Sequence, residues 1–313
     1  MLTIHPLLQA VEDQITASGL AQEYAGFLAF FGVFGALGFR WFVLRRTAAR
    51  QPDAAVPDSP IAASLASAEV GAASIGIVGA LFMLMNLLMA MSARAADKGI
   101  SFADAAAAGG TKTIVSCLFV LLFLASFAAA FKKLRAGWTV AALTGIAYVF
   151  QSITTGKWTG LINPLHEAAA SLWLGSLFVL VVVGLPVILR CVISSDQRGA
   201  LVADMVADFS NLAIGAALLL VVTGITTAWR HLKYVSALWT TPYGYTFDIK
   251  LVFVAIVVAL GAWNWRRMRP RLGTEAAAHQ IRRSAKFELS FAAIVLLITG
   301  VLVSLPAPRL PMP

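Results

Sequence analysis

The chain has 313 residues, of which 59% are hydrophobic and only 12% are charged. A soluble domain carries about a quarter of its residues as charges, so this composition excludes a soluble protein and indicates a surface covered by the lipid bilayer. The formal net charge of +9 reflects basic loops at one membrane face. No basic groove with interleaved aromatic residues occurs, which excludes nucleic acid as a partner.

Apolar runs of about 20 residues recur along the chain, each long enough to cross roughly 30 Å of hydrocarbon as an α-helix. They predict an all-α, polytopic membrane bundle of about eight transmembrane helices. No internal repeat divides the chain, so residues 1–313 are expected to form a single membrane domain. The predicted spans are residues 22–44, 70–92, 112–131, 137–154, 164–190, 206–228, 247–266 and 286–305.

Two segments at the edges of these spans and the two cysteines allow further predictions. Residues 1–20 lack a basic start and predict a short amphipathic helix outside the first span, not a cleaved signal peptide. Residues 47–64 are rich in proline, alanine and aspartate and predict a flexible loop. Cys117 and Cys191 are expected near opposite membrane faces, too far apart for a disulfide.

Basic residues cluster in alternate loops, which sets the predicted orientation. Because lysine and arginine collect in cytoplasmic loops, both termini are expected outside the cytoplasm. This orientation places His5, His166 and His231 outside and leaves His279 in a cytoplasmic loop. The basic loops contain Arg45, Arg46, Arg50, Lys132, Lys133, Arg135, Arg190, Arg198, Arg266, Arg267, Arg269, Arg271, Arg282, Arg283 and Lys286.

Histidine and methionine at the outer face point to a late transition metal, because imidazole and thioether groups together suit Cu(I). The candidate metal ligands are His166, His231, Met85 and Met89. Met85 and Met89 lie four residues apart in LFMLMNLLMAM, so their sulfurs share one helix face. Ordinary packing is the alternative for each methionine, and solvation at the membrane boundary is the alternative for each histidine.

His166 begins the motif NPLHEAAASLWLGSL (residues 163–177) at the outer end of the fifth span. On a straight α-helix His166, Ala170, Trp173 and Leu177 share one stripe, which predicts an indole beneath the imidazole. The roles of His5, Met83, Met91, Lys250 and Glu288 are left open.

This motif, followed by VVTGITTAW, TTPYGYTFDIKLVF, GAWNWRRMRPRL and RRSAKFELSFAAIVLLITGVLVSLPAP, resembles the CopD family of copper-resistance membrane proteins. The resemblance covers residues 160–306 and is clearest over 205–306. It implies an inner-membrane protein that handles copper beside a periplasmic CopC-like carrier, a separate chain here. Family features carry over to His166, Trp173, Gly175, Tyr243, Gly244, Lys250 and Glu288.

The leading expectation is copper transport across the cytoplasmic membrane, with Cu(I) received from the periplasmic carrier. Copper hand-over without transport and a b-type haem redox protein are the alternatives; the latter needs paired axial histidines. The chain has no phosphate-binding glycine loop and no phosphorylation motif of ATP-driven pumps. Any energy coupling is therefore expected to be ionic or to follow a concentration gradient. We expect no enzymatic activity, and the sequence does not fix an oligomeric state.

Overall fold

A computed structural model describes residues 17–151, 158–232, 234–268, 275–306 and 308 of the chain. Helices account for nearly all of these residues and no strand occurs among them, which confirms the all-α prediction. The α-helices are α1 (Ala17–Gly38), α2 (Arg45–Arg50), α3 (Pro60–Lys98), α4 (Phe102–Ala108), α5 (Gly110–Phe131), α6 (Arg135–Phe150), α7 (Ile162–Ala170), α8 (Ser176–Val179), α9 (Leu185–Leu189), α10 (Ser195–Leu232), α11 (Ala237–Thr240), α12 (Pro242–Met268) and α13 (Glu275–Ser304). Short π-helical and 3-10 segments join some of them: Phe39–Leu44, Pro52–Ala55, Trp158–Leu161, Ser171–Gly175 and Leu180–Gly184.

Seven helical segments of the described chain are long and apolar enough to cross a membrane, so this is a multi-pass membrane protein. The predicted fourth span corresponds to α6, whose 16 residues extend for only about 24 Å. The predicted end of that span falls on residues 152–157, outside the described part. The seven segments are Gly19–Arg50, Pro60–Lys98, Gly110–Phe131, Ile162–Leu189, Ser195–Leu232, Pro242–Arg266 and Gln280–Ser304.

Residues 47–64 are mostly helical, so the prediction of a flexible loop is wrong. The prolines and aspartates that suggested disorder instead mark helix starts, as in the 3-10 helix Pro52–Ala55. Ser59 is the N-cap of α3, since its hydroxyl oxygen accepts a hydrogen bond from the Ala62 amide at 3.0 Å. Pro60 follows in the first helical position, where its missing N–H is not needed.

The two cysteines are free, as predicted. Cys191 is buried, and its thiol donates a hydrogen bond to the carbonyl oxygen of Pro60 at 3.3 Å. The predicted amphipathic segment at residues 1–20 lies almost wholly outside the described residues.

α1 packs tightly on both of its neighbours through glycine contacts. A Cβ atom added at Gly32 would lie 2.6 Å from Gly79 Cα on α3. One added at Gly35 would lie 2.5 Å from the carbonyl carbon of Gly175 in the fifth span. Such close backbone approach between membrane helices needs small residues at the contact. The first span is therefore held between α3 and the helical segment that carries NPLHEAAASLWLGSL.

That segment is not a straight α-helix, because Ser171–Gly175 and Leu180–Gly184 are π-helical. A π-turn closes its hydrogen bond over five residues and shifts the helix face that follows. The expected stripe from His166 to Leu177 therefore does not hold. Trp173 packs against the hydrophobic core of the bundle, and the predicted aromatic floor under His166 is not supported.

An ion-pair network ties the first span to the start of α10. The Asp208 carboxylate, 2% exposed, accepts hydrogen bonds from the Thr47 hydroxyl and the Arg50 guanidinium, each at 3.0 Å. The side-chain amide of Gln51 donates to the Asp204 carboxylate at 2.7 Å. This network lies on the predicted cytoplasmic side. There it holds α2, at the end of the first span, against α10.

Candidate functional site

His166 lies in α7 with its ring half-buried against α10. Its Nδ1 atom is 2.9 Å from Oγ1 of Thr223. The Thr223 hydroxyl donates its own proton to the carbonyl oxygen of Leu219 at 2.7 Å, so its oxygen accepts a hydrogen bond from the imidazole. Nδ1 therefore carries the ring proton, and Nε2 has an unprotonated lone pair.

A glycine on α10 allows the ring to come this close. A Cβ atom added at Gly224 would lie 3.3 Å from Cε1 of His166, so a larger residue there would push against the imidazole. Gly224 belongs to the stretch VVTGITTAW, so the glycine of that motif has a packing role against His166.

His231, near the predicted outer end of α10, is held by its own helix. Its Nδ1 atom is 2.8 Å from the carbonyl oxygen of Thr227. A carbonyl oxygen only accepts hydrogen bonds, so Nδ1 is again the protonated nitrogen and Nε2 keeps its lone pair. The ring stacks on Tyr243 of α12, with centroids 6.3 Å apart and planes at 9°. Both imidazoles thus present the nitrogen that is free to bind a metal.

The two histidines belong to one line of polar contacts between α7 and α10. Between them, the Thr227 hydroxyl donates to the side-chain oxygen of Asn163 at 3.4 Å. We call this line the outer polar seam; it consists of Asn163, His166, Thr223, Thr227 and His231.

The seam holds its two imidazoles at different depths. Gly224, beside His166, and His231 are seven residues apart on α10, which corresponds to about 10 Å along the helix axis. The His231 ring bonds back to the Thr227 carbonyl, so it lies closer to His166 than this backbone spacing. The seam therefore offers two imidazoles along one path.

α12 contributes Tyr243 and Lys250 to the surroundings of the seam. Tyr243 is 8% exposed, and the adjacent Gly244 lets α12 approach the α11 backbone, since a Cβ there would lie 2.1 Å from the Ala237 carbonyl oxygen. Two turns further on, Lys250 is half-buried and close enough for its charge to act on the His166 imidazole. A positive charge therefore lies beside the deeper histidine.

Met85 and Met89 line a groove between α3 and the start of α1, with a volume of about 640 Å³. Met85 is 40% exposed, whereas Met83 and Met91 are buried, at 9% and 5%. The sharing of one face by Met85 and Met89 follows the prediction. The other two methionines pack in the interior of the protein.

The structure does not bring the four predicted ligands together. His166 faces α10, while Met85 and Met89 line a groove on another side of α1 whose lining contains no histidine. Among the described residues, no group of three or more His, Cys, Asp or Glu side chains is arranged to hold a metal ion. The candidates thus fall in two places, the outer polar seam and the methionine groove.

A second polar group lies near the opposite end of α12 and α13. Glu288 is 8% exposed, and one of its carboxylate oxygens accepts a hydrogen bond from the side-chain amide of Asn264. The Ser284 hydroxyl donates to the Asn264 carbonyl oxygen. We call Asn264, Ser284 and Glu288 the inner polar cluster; it lies at the end of the bundle that carries the arginine-rich loop.

The sequence reasoning missed Asn163, Thr223, Thr227, Asn264 and Ser284. A signal for two of them was present, because Thr223 and Thr227 are four residues apart in VVTGITTAW and share one helix face. Asn163 is three residues before His166 and lies on the same side of α7. The pairing of these residues across two helices has no signal in a single sequence.

Comparison with protein families gives a match between residues 203–302 and the model of copper resistance protein D, CopD. This confirms the resemblance predicted from the motifs. Thr223, Thr227 and His231 of the outer polar seam lie inside the match, whereas Asn163 and His166 lie before it. Lys250 and the whole inner polar cluster also lie inside it.

A relative that is named as a copper transport protein supports the same family. The chain is 28% identical over 225 residues to the copper transport protein CutJ of Bacillus subtilis (strain 168). The alignment covers 66% of this chain and 38% of CutJ, so the chain spans well under half of that relative's length. No solved structure matches the chain.

Proposed function

Because the chain carries a CopD segment within a multi-pass membrane bundle, we propose that it transports copper across the cytoplasmic membrane. The outer polar seam is the entry path, and His166 is the central ligand. Copper is cargo in this proposal: it binds, moves and leaves, and no chemical reaction is assigned to the protein.

The hydrogen bonds of the two imidazoles are the observation that carries the proposal. A histidine that binds a metal usually donates its other ring N–H to a neighbouring oxygen, which fixes the tautomer and the ring orientation. His166 and His231 have such partners in Thr223 Oγ1 and the Thr227 carbonyl respectively.

The order of the two histidines along α10 sets the order in which the copper ion meets them. His231 is nearer the predicted outer end of α10 and meets the ion first, and His166, which lies beside Gly224 on α10, receives it next. Passage inside the bundle avoids exposing the ion to lipid, where a charge is costly. Lys250 beside His166 repels a cation, so an ion bound there is held weakly enough to move on.

The methionine groove supports capture of Cu(I) from a soluble donor. Thioether sulfur selects Cu(I) among the late transition metals, and Met85 is exposed enough for contact with a partner. The donor in this proposal is a periplasmic CopC-like carrier, as the family resemblance implies. The groove and the seam are separate, so capture and passage are separate steps.

The seam geometry disfavours the haem alternative. A b-type haem needs two axial histidines on opposite sides of one iron. His166 and His231 belong to one line of contacts where α7 packs on α10, which is not the arrangement of two ligands on opposite faces of a haem.

Copper uptake into proteoliposomes tests the proposal. The full-length protein is reconstituted, Cu(I) is supplied outside in a buffered chelator, and luminal copper is measured over time. We expect uptake by the wild type and its loss in His166→Ala. Thr226→Val is the matched control, because Thr226 lies on the same helix and bonds to the Val222 carbonyl of its own helix. Uptake by His166→Ala equal to that of the control would contradict the proposal.

A further inference from the structure

The inner polar cluster contains a carboxyl group that forms no ion pair with any described residue. Glu288 lies eight residues into the segment Gln280–Ser304, or about 12 Å along the helix, and is 8% exposed. The ion pairs of the described residues join Arg40 to Glu69 and Arg50 to Asp204 and Asp208; Glu288 is in none of them. An isolated carboxylate at this depth is costly, and it is relieved by a cation or by a proton.

The hydrogen bonds of the cluster leave one oxygen of Glu288 without a donor among the described residues. The amide of Asn264 is fixed with its NH₂ toward Glu288, because its carbonyl oxygen accepts from Ser284. An N–H donor at one carboxylate oxygen stabilises the charged form of the group and blocks that oxygen, so a proton is taken up at the other one. The other oxygen, Oε2, lies 3.7 Å from where a Cβ of Gly261 would be. The glycine leaves space beside Oε2, the oxygen that is free to carry a proton.

A cavity of about 300 Å³ between α12 and α13 adjoins the cluster. Its polar lining consists of Asn264, Gln280 and Ser284, and its other walls are apolar. Gln280 is exposed at the start of the segment, so the polar wall runs from the arginine-rich end of the bundle to Asn264. At about 30 Å³ for each water molecule, the cavity has room for several. Glu288 is not among the lining residues, so the cavity meets the cluster at Asn264 and Ser284.

Among the described side chains, no charged group forms an ion pair with Glu288, and its printed contact is the hydrogen bond from Asn264. Asp204 and Asp208 of α10 are engaged by Arg50. The charged groups described at this end of α12 and α13 are Arg266, Arg282, Arg283 and Lys286, and Arg267 and Glu275 belong to the same two helices.

We propose that the inner polar cluster is a proton-binding site, with Glu288 Oε2 taking up and releasing the proton through the adjoining cavity. In the release step the O–H bond of the carboxyl group breaks and the proton passes to water in the cavity. A cation arriving at the inner end of the bundle favours the carboxylate and expels the proton. This coupling rests on the proposed copper transport, whereas the proton site itself does not.

Infrared spectroscopy of the copper-free, full-length protein in lipid tests the proton site directly. We expect a carbonyl stretching band of a protonated carboxylic acid that weakens as pH rises and loses its Glu288 contribution in Glu288→Gln, while Glu167, half-buried in the segment Ile162–Leu189, keeps its own contribution. Glu69→Gln is the matched control, since Glu69 is ion-paired with Arg40 at 2.8 Å, and it should keep the band. Identical pH-dependent spectra for the wild type and Glu288→Gln would overturn the proposal.

Copper uptake under opposed pH gradients tests the coupling. Uptake by the wild type is expected to differ several-fold between the two gradient directions, while Glu288→Gln carries copper equally in both. A gradient response in Glu288→Gln that equals the wild type would overturn the coupling. Absence of uptake in the wild type would remove the transport proposal and the coupling with it, while the infrared result would still decide the proton site.

Discussion

The Nδ1 atom of His166 lies 2.9 Å from the Thr223 hydroxyl, and that hydroxyl is committed as a donor to the Leu219 carbonyl. One threonine thus decides which nitrogen of the imidazole is free. The contact joins α7, which carries the first part of NPLHEAAASLWLGSL, to α10. Thr223 on α10 lies inside the segment that matches CopD. The chemistry of His166 therefore depends on a residue 57 positions away.

Replacing Thr223 with valine should weaken copper binding at His166. Valine keeps the shape of threonine but cannot accept the Nδ1–H hydrogen bond, so the ring loses its fixed tautomer. Loss of such an outer partner typically costs roughly 10- to 100-fold in metal affinity. Chelator competition in detergent measures the affinity, with Thr223→Ser expected to remain close to the wild type. Equal affinities of the valine variant and the wild type would show that Thr223 does not orient a ligand.

Replacing Met85 and Met89 together with leucine should slow copper capture without changing the affinity of the seam. The two leucines preserve apolar packing but remove the thioether sulfurs from the groove. Stopped-flow transfer from a Cu(I) donor measures the rate, and chelator competition measures the affinity. The double variant Met83→Leu, Met91→Leu is the control, because both of those residues are buried. A slower transfer in the control as well would assign the effect to packing.

Gly35→Ala should destabilise the protein, although it adds only one methyl group. The added Cβ would lie 2.5 Å from the carbonyl carbon of Gly175, and backbone atoms at a helix contact cannot move aside cheaply. Overpacking of this kind costs about 1–3 kcal/mol. Thermal unfolding in detergent, followed by size-exclusion chromatography, measures the loss. Gly215→Ala is the control, since a Cβ at Gly215 meets nothing within 4 Å, and its midpoint should not fall.

Asp208→Asn should weaken the attachment of the first span to α10. The substitution removes the negative charge that Arg50 and Thr47 contact, and a buried hydrogen-bond partner lost in this way costs about 1–3 kcal/mol. Asp204→Asn should cost less, because the Asp204 side chain is 31% exposed, against 3% for that of Asp208. Denaturation in mixed micelles compares the two variants. An equal loss in both would mean that burial of Asp208 does not set its contribution.

The sequence was sufficient to predict the helical segments but not their internal irregularities. Apolar runs define spans by length alone, and the segments around residues 70–92 and 206–228 appear as the longer helices α3 and α10. The π-turn at Ser171–Gly175 has no comparable signal. It arises where Gly175 contacts Gly35 of another helix, and this is why the predicted stripe from His166 to Trp173 fails.

The sequence predicted which residue types form the candidate site, but it did not predict how they are arranged in space. Met85 and Met89 are close in sequence, so helical periodicity alone placed them on one face. His166 and the methionines were expected in one outer site on the basis of depth. Depth does not specify which neighbour a helix faces, and α7 presents His166 to α10. Contacts between distant helices decide that choice.

X-ray absorption spectroscopy of the Cu(I)-loaded protein tests the central claim, that Nε2 of His166 binds the copper cargo. The wild type should show imidazole scattering around copper. His166→Ala should lose this scattering together with the copper bound at the seam, while Thr226→Val should match the wild type. The same imidazole signal and the same amount of bound copper in His166→Ala would contradict the assignment of His166 as the ligand.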